Sequence, residues 1–142
     1  MDTDLPIRGF GMVIVYAYVC GDILHVGHLT ALRNAKALGD SLIVGVLTDK
    51  AVMEHKPRPV IPFKDRLILV SALSFVDCVV AQDTYSPLQN MKGIRPDILM
   101  ESDSHADQPA NDFVEGYGGR VISMPYFPEE SSTAIKEKIR GR

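Results

Sequence analysis

The chain has 142 residues, of which 46% are hydrophobic and 23% are charged, and its formal net charge at pH 7 is −3. A length close to about 150 residues indicates one domain, which can bury enough apolar surface to fold without disulfides. The composition excludes a disordered or collagen-like chain. The acidic balance, together with an aromatic content of 7%, argues against nucleic-acid binding.

The two cysteines and the hydropathy pattern bear on the cellular compartment. Cys20 and Cys78 lie far apart without CxxC spacing, which indicates a reducing compartment and no disulfide framework. The longest apolar run, residues 13–19, is too short to cross a membrane, and no basic segment precedes an apolar one near the start. We therefore predict a cytoplasmic protein. Residues 1–11 carry no periodicity and are treated as an N-terminal tail, and residues 12–142 as the folded domain.

From residue 12 onward, strand patterns alternate with helix patterns. Apolar, β-branched runs predict five strands, at residues 12–19, 41–47, 76–81, 98–100 and 120–124. Apolar residues at helical spacing predict helices at residues 27–38, 49–54, 63–74, 86–92, 106–117 and 131–140. Gly39 is expected to close the first helix as a C-terminal glycine, and Cys78 is expected to lie in the core.

This alternation predicts an α/β fold, a Rossmann-like open parallel five-stranded sheet with helices on both faces, in three layers. Such sheets bind ligands beyond the carboxyl ends of their strands, at the point where the strand order reverses. The loop after the first strand is therefore the first place to look for a site.

That loop, residues 20–28, reads CGDILHVGH and leads into the first helix. His25 and His28 bracket Gly27 at the helix start, where backbone N–H groups and the helix dipole favour anions. Histidines at such a terminus suit a phosphate that gains charge in a transition state. A metal-binding pair and an ordinary helix start fit the same residues, so the residues alone leave these alternatives open.

The string HVGH at residues 25–28 resembles the HxGH signature of the nucleotidyltransferase superfamily, and DILHVGH resembles its cytidylyltransferase-like branch. Further similar segments follow in order: LGDSLIVGV at 38–46, the basic residues Lys56 and Arg58, KDR at 64–66, and SSTAIK at 131–136. The resemblance covers nearly the whole chain.

The resemblance implies direct nucleotidyl transfer, in which the phosphate of a small acceptor attacks the α-phosphorus of CTP or ATP and pyrophosphate leaves. His25, His28 and Lys56 would be the catalytic residues, the histidines on the phosphates and Lys56 on the β- and γ-phosphates. Mg²⁺ would arrive on the triphosphate, with no metal site in the protein. The residues implied in nucleotide binding are Cys20, Gly21, Asp22, Gly27, Arg66, Ser131, Ser132 and Thr133.

Several of these residues also have structural interpretations. Lys56 and Arg58 could form a solvated loop, and Arg66 a surface ion pair. Asp22 is interpreted as a brace for its loop, and Cys20 as a packed residue without nucleophilic activity. Residues 131–133 could be a helix cap alone. The group Asp103, His105 and Asp107 is interpreted as a solvated loop in preference to a metal site.

The chain departs from the family pattern at two places. Val19 and Gly21 stand where the family commonly has glycine and phenylalanine, which predicts a looser loop. Glu101 and Ser102 begin a segment that replaces a Gly-x-Asp motif, and Glu101 would bring a negative charge toward the phosphate cleft. A catalytically weakened nucleotide-binding protein is therefore an alternative.

The motifs leave the acceptor open. Segments resemble heptose-phosphate adenylyltransferase domains of lipopolysaccharide-core synthesis, glycerol-3-phosphate and phosphonate cytidylyltransferases, and FAD synthetase-type adenylyltransferases. All imply a small phosphorylated acceptor, and the family implies a homodimer.

Overall fold

The computed structural model describes residues 12–102, 105–124 and 132–141. Its five strands are β1 (Ile14–Val19), β2 (Ser41–Leu47), β3 (Cys78–Gln82), β4 (Ile98–Ser102) and β5 (Arg120–Met124). Its helices are α1 (Val26–Ala37), α2 (Asp49–Val52), α3 (Phe63–Ser71), α4 (Leu88–Ile94), α5 (Gln108–Gly116) and α6 (Ser132–Arg140). The predicted tail, residues 1–11, lies outside the described residues.

The strands form one parallel sheet in the order β3-β2-β1-β4-β5, which confirms the predicted fold. The strand order reverses between β1 and β4, where Ala17 lies opposite Met100. Parallel strands joined through helices place all their carboxyl ends at one edge of the sheet. The loops that follow β1, β2 and β4 therefore meet at the reversal point.

Two apolar clusters cover the two faces of the sheet. On one face, Val15, Ala17 and Met100 pack with residues of α1 and α3 such as Leu32 and Val70. On the other face, the buried residues come from β1, β4, α4 and α5, namely Tyr16, Leu99, Met91, Ala110 and Val114. Because successive side chains of a strand alternate between faces, the near-continuous apolar runs of the central strands follow from burial on both sides.

The second face also holds a buried polar contact at the middle of the sheet. Tyr16 donates a hydrogen bond from its hydroxyl to Gln82 Oε1 over 2.5 Å. Gly45 of β2 leaves the room for this contact, because a Cβ there would lie 1.9 Å from the Tyr16 hydroxyl oxygen. The glycine in the middle of a buried strand thus serves close packing.

Three local predictions are wrong. Helix α1 ends at Leu38 in a right-handed conformation, and Gly39 lacks the positive φ of a C-terminal glycine. Gly39 instead permits close packing, because a Cβ there would lie 2.7 Å from the Val13 carbonyl oxygen. Cys78 is exposed at the start of β3, an edge strand, and the helix predicted over residues 63–74 ends at Ser71.

Candidate active site

A cavity of about 450 Å³ opens beyond the carboxyl ends of the strands, at the reversal of strand order. Its walls come from the end of β1 and the loop to α1, the proline-rich loop at 56–60, the end of β4 and helix α6. Segments distant in the sequence therefore surround one space, as expected for an open parallel sheet. The predicted residues Cys20, Asp22, His25, Gly27, His28 and Lys56 all line it.

The two histidines are fixed by hydrogen bonds to the start of α1. His25 is the N-cap residue, and its Nδ1 accepts from the Gly27 N–H over 3.0 Å. The His28 Nδ1 accepts from the His25 N–H over 3.3 Å. A neutral imidazole that accepts at Nδ1 carries its proton on Nε2. Each ring therefore has an Nε2–H donor at the helix N-terminus, which favours anions.

The two imidazole rings are close enough to affect each other's charge. Their centroids lie 4.1 Å apart. Burial, with a smaller contribution from nearby His25, lowers the pKa of His28 to about 4. His28 is therefore neutral near pH 7 and acts there as a hydrogen-bond donor without a positive charge.

The loop before the histidines is a tight turn. Gly21 has φ +69°, a left-handed backbone conformation that residues other than glycine rarely adopt. A Cβ at this position would lie 3.4 Å from the Val70 side chain. Gly21 in place of the family's phenylalanine thus fits a closely packed turn, against the prediction of a looser loop. Burial raises the pKa of Cys20, so its thiol stays protonated, as its interpretation as a non-nucleophilic residue requires.

Asp22 ties three segments together. Its carboxylate accepts from the Val60 N–H over 3.0 Å and from the Ile61 N–H over 2.8 Å, and it pairs with the Lys136 ammonium of α6. Burial raises the pKa of Asp22, but the Lys136 and backbone hydrogen bonds outweigh it and hold the pKa below its usual value. The contacts are those of a brace that joins the loop before α1 to the proline-rich loop and to the last helix.

Arg66 is a second brace, and the sequence prediction placed it differently. Its side chain is 0% exposed, which excludes a surface ion pair, and Arg66 is not among the residues that line the cavity. The guanidinium donates to Asp49 over 2.6 Å, and its other hydrogen bonds go to the backbone carbonyls of Cys20, Leu47 and Ile61. Arg66 thus joins the ends of β1 and β2 to the loop before α3.

Four basic side chains among the described residues line the cavity, whose histidine end lies at the start of α1. Lys56 and Arg58 are exposed on the proline-rich loop, and Lys136 and Arg140 reach it from α6. Sequence reasoning did not single out the last two as site residues, although their spacing of four places them on one face of a helix. Of the predicted residues there, Ser131 lies outside the described residues, and α6 begins at Ser132.

The other end of the cavity is aromatic and acidic. His105 stacks on Tyr85 with ring centroids 4.2 Å apart and meets Tyr18 edge-on at 5.3 Å. Tyr18 and Tyr85 were not predicted as site residues, and the position of Tyr18 one residue before the end of β1 is the signal that could have indicated it.

Of the candidate metal group, the structure describes His105 and Asp107. Asp107 caps α5 and accepts from Ser86 over 2.8 Å, and Asp103 lies outside the described residues. Within the described ranges, no group of three or more His, Cys, Asp or Glu side chains could hold a metal ion. His105 is half-buried among rings, so the expected solvated loop is corrected to a packed aromatic wall.

Glu101 lies at the end of β4 and is 5% exposed. Its Oε2 accepts from the Asn111 amide of α5 over 3.0 Å. Burial raises the pKa of Glu101, and the hydrogen bonds from Asn111 and from the Asp107 backbone only partly offset that rise. The side chain is therefore held on the α5 face of the sheet, whereas the histidines belong to α1 on the opposite face.

Comparison with known proteins gives three findings. The model of the family described as cytidylyltransferase-like matches residues 19–138. The protein named bifunctional protein HldE of Syntrophotalea carbinolica is 37% identical over 95% of this chain and 28% of its own length. The protein of the same name from Methylococcus capsulatus is 39% identical over 99% of this chain and 31% of its own length. The chain thus spans about a third of these relatives.

A solved structure from Thermoplasma volcanium, described as a lipopolysaccharide core biosynthesis protein, superimposes with a TM-score of 0.71 at 28% identity, covering 82% of this chain and 98% of that one. The pantoate-beta-alanine ligase of Francisella tularensis shares the fold with a TM-score of 0.58 at 14% identity, over 93% of this chain and 69% of that one. In the described part of the chain, every helix is too short or too polar to cross a membrane.

Proposed function

Because this chain belongs to the cytidylyltransferase-like family of nucleotidyltransferases, we propose that it transfers a nucleotidyl group from ATP or CTP to a sugar-phosphate acceptor and releases pyrophosphate. One observation carries the proposal. His25 and His28 are locked so that Nε2–H donors meet the N-terminus of α1, in a cavity flanked by basic side chains.

The histidine end suits phosphates in both shape and charge. The helix N-terminus and the two imidazole donors would hold the α-phosphate, and Lys56 and Arg58 would offset the negative charge of the β- and γ-phosphates. Lys136 is already paired with Asp22, so it would add charge while holding α6 in place. Ser131, Ser132 and Thr133 are proposed to bind the outgoing pyrophosphate, as the sequence resemblance implies.

The step itself is an in-line displacement at the α-phosphorus. An oxygen of the acceptor phosphate forms the new P–O bond, the bond from the α-phosphorus to the bridging oxygen breaks, and pyrophosphate leaves with that electron pair. Negative charge grows on the equatorial oxygens, and fixed donors aimed at them lower the barrier without reorganising. A neutral His28 fits this role, because the reaction asks it to donate a hydrogen bond without giving up its proton.

Mg²⁺ is proposed to enter as the nucleotide complex. Asp22 is a buried carboxylate three residues before His25. Its oxygens already pair with Lys136 and accept from two backbone N–H groups, which leaves it poorly suited to bind a cation. Mg²⁺ commonly binds through substrate phosphates and would supply charge neutralisation there.

The sugar-phosphate class rests on the relatives and on the notable likeness of the DILHVGH and LGDSLIVGV segments to heptose-phosphate adenylyltransferase domains, which also favours ATP. A place in lipopolysaccharide-core synthesis, a cytoplasmic location and a homodimer belong to the same proposal.

Pyrophosphate release with Mg²⁺ and either ATP or CTP tests the proposal against heptose 1-phosphate, glycerol 3-phosphate, 2-aminoethylphosphonate and FMN. We expect release with heptose 1-phosphate, and a loss of about 10²–10³-fold in turnover for His28→Ala, the size seen when one donor to a transition-state oxyanion is removed. Lys56→Ala should also lower turnover, and Lys92→Ala, on the exposed side of α4, is its charge-matched control.

Absence of release with every pair, while ATP still raises the melting temperature, would favour the binding-only alternative. Release with FMN alone would instead assign the FAD synthetase-type reaction.

A further inference from the structure

Three buried polar side-chain atoms near the acidic end of the cavity have no hydrogen-bond partner within the described part of the chain. They are Glu101 Oε1, the Tyr18 hydroxyl oxygen and Oδ1 of Asn111, which contacts Glu101. Of these residues, Glu101 and Tyr18 line the cavity, and Glu101 is 5% exposed. Buried polar groups in folded proteins are nearly always hydrogen-bonded, because leaving one unpaired is costly. A pair of them on one cavity wall therefore points to a ligand.

The sheet places these two groups side by side. Ala17 lies opposite Met100 in the β1–β4 ladder, so the next residues, Tyr18 and Glu101, are neighbours on the same face at the strand ends. Their side chains are also held in place. The Asn111 amide donates to Glu101 Oε2 over 3.0 Å, and the ring of His105 packs edge-on against Tyr18. Such pre-oriented groups are typical of a recognition site.

The chemistry of the wall defines what it can bind. A carboxylate oxygen accepts hydrogen bonds, and a tyrosine hydroxyl can donate one and accept another. Burial, followed by the nearby charge of Glu101, raises the pKa of Tyr18, which keeps its hydroxyl protonated. The stacked rings of Tyr85 and His105 add an apolar surface beside these polar atoms. Alternating polar and C–H surfaces are characteristic of a sugar ring.

The carboxylates make this wall a poor place for a phosphate. Glu101 and Asp107 both raise the electrostatic cost of an anion near Tyr18. We propose that Glu101 and Tyr18 form a subsite for the hydroxyl groups of the acceptor, remote from its phosphate, and that this subsite determines acceptor specificity. The inference rests on the proposed nucleotidyl transfer and deepens it.

A hydroxyl-bearing acceptor fits this wall better than an alkylammonium. An ammonium only donates, so it would use Glu101 and leave the donor of the Tyr18 hydroxyl without a partner. A pair of neighbouring hydroxyls can donate to the carboxylate and accept from the tyrosine. Sites that hydrogen-bond substrate hydroxyls discriminate strongly, because an analogue lacking them leaves buried groups unpaired.

The test compares the wild-type protein with Glu101→Gln, Tyr18→Phe and the control Glu115→Gln, which makes the same chemical change on the exposed side of α5. For each protein, KM is measured for ATP and for heptose 1-phosphate, and the binding of heptose 1-phosphate is measured by calorimetry. We expect Glu101→Gln and Tyr18→Phe each to weaken heptose 1-phosphate by about tenfold in KM and Kd. The KM for ATP and all values of the control should stay within about twofold.

The outcomes separate this inference from the proposed function. Turnover with an unchanged acceptor KM in both variants would overturn the subsite alone. A selective rise in the KM for ATP would assign the wall to the nucleotide base. Preference of the wild type for 2-aminoethylphosphonate, lost in Glu101→Gln, would assign it to an ammonium. Glu101-dependent binding of heptose 1-phosphate without pyrophosphate release would keep the subsite and refute the reaction, and absence of both binding and release would overturn both.

Discussion

Replacing Arg66 with methionine removes a buried cation while keeping most of its volume. The guanidinium is 0% exposed and donates to Asp49 and to the carbonyl oxygens of Cys20, Leu47 and Ile61. Methionine offers none of these donors. The variant therefore leaves a carboxylate and three carbonyls without this hydrogen-bond donor at the junction of β1, β2 and the loop before α3.

The size of the loss follows from these contacts. Each buried acceptor left unpaired costs about 1–3 kcal/mol, and removing one partner of a buried ion pair costs about 3–5 kcal/mol in total. Asp49 is 27% exposed and can recover some hydration, so we expect a loss of about 3–5 kcal/mol in the free energy of unfolding. That is a large share of the roughly 5–15 kcal/mol typical of a domain.

Arg58 supplies a matched control. Its guanidinium lies 4.0 Å from the same Asp49, but its side chain is 71% exposed. Exposed pairs contribute little, so Arg58→Met should change the free energy of unfolding by less than about 1 kcal/mol. Urea unfolding followed by far-ultraviolet circular dichroism measures both variants. If Arg66→Met lost less than about 1 kcal/mol but bound ATP much more weakly, Arg66 would be a ligand contact and the argument for a brace would fail.

Three further substitutions have effects on stability that can be predicted from the contacts of the replaced residues. The folded-state pKa of His28 is about 4, below the usual value of 6.5. Between these pH values the unfolded chain binds more protons than the folded one, so His28 lowers the free energy of unfolding as pH falls through this range. His28→Asn should therefore flatten the loss of stability between pH 6.5 and pH 4, measured by urea unfolding, and an unchanged slope would contradict the assignment. Lys136→Gln leaves the buried Asp22 without its ion-pair partner and should lower stability by about 1–3 kcal/mol, while Lys92→Gln on the exposed side of α4 should have little effect. Gly45→Ala places a methyl group 1.9 Å from the Tyr16 hydroxyl and should lower the melting temperature, and a variant as stable as the wild type would show that the sheet can shift to admit it.

The architecture could be predicted because burial on both faces leaves a strong sequence pattern. Strand β2 was predicted with its observed bounds, since its apolar run is continuous and central in the sheet. Strand β3 begins at Cys78, two residues later than predicted, because Val76 packs against the core from the loop before the strand and extends the apolar pattern. The pattern thus indicates which segments are buried better than it indicates where they end.

The site was predictable where it depends on local order along the chain. His25 and His28 lie between a buried strand and a helix, and that position alone sends them to the ligand-binding edge of the sheet. Arg66 was misplaced because its partners are carbonyls 46 and 19 residues away in the sequence, at Cys20 and Leu47. A backbone carbonyl carries no residue-type signal, so sequence alone does not distinguish a buried brace from a surface arginine.

The pleat of β4 explains how a carboxylate can share a cavity with a triphosphate. Met100 packs in the cluster that contains α1, so the next side chain, Glu101, must point to the opposite face, toward Asn111 of α5. The negative charge is thereby turned away from the helix end that carries His25 and His28. Under the proposed function, a phosphorylated acceptor entering the cavity in the reverse orientation would bring its phosphate toward Glu101, and like-charge repulsion would oppose that arrangement. We therefore expect Glu101 to favour the orientation in which the acceptor phosphate faces the α-phosphorus, as the proposed in-line attack requires.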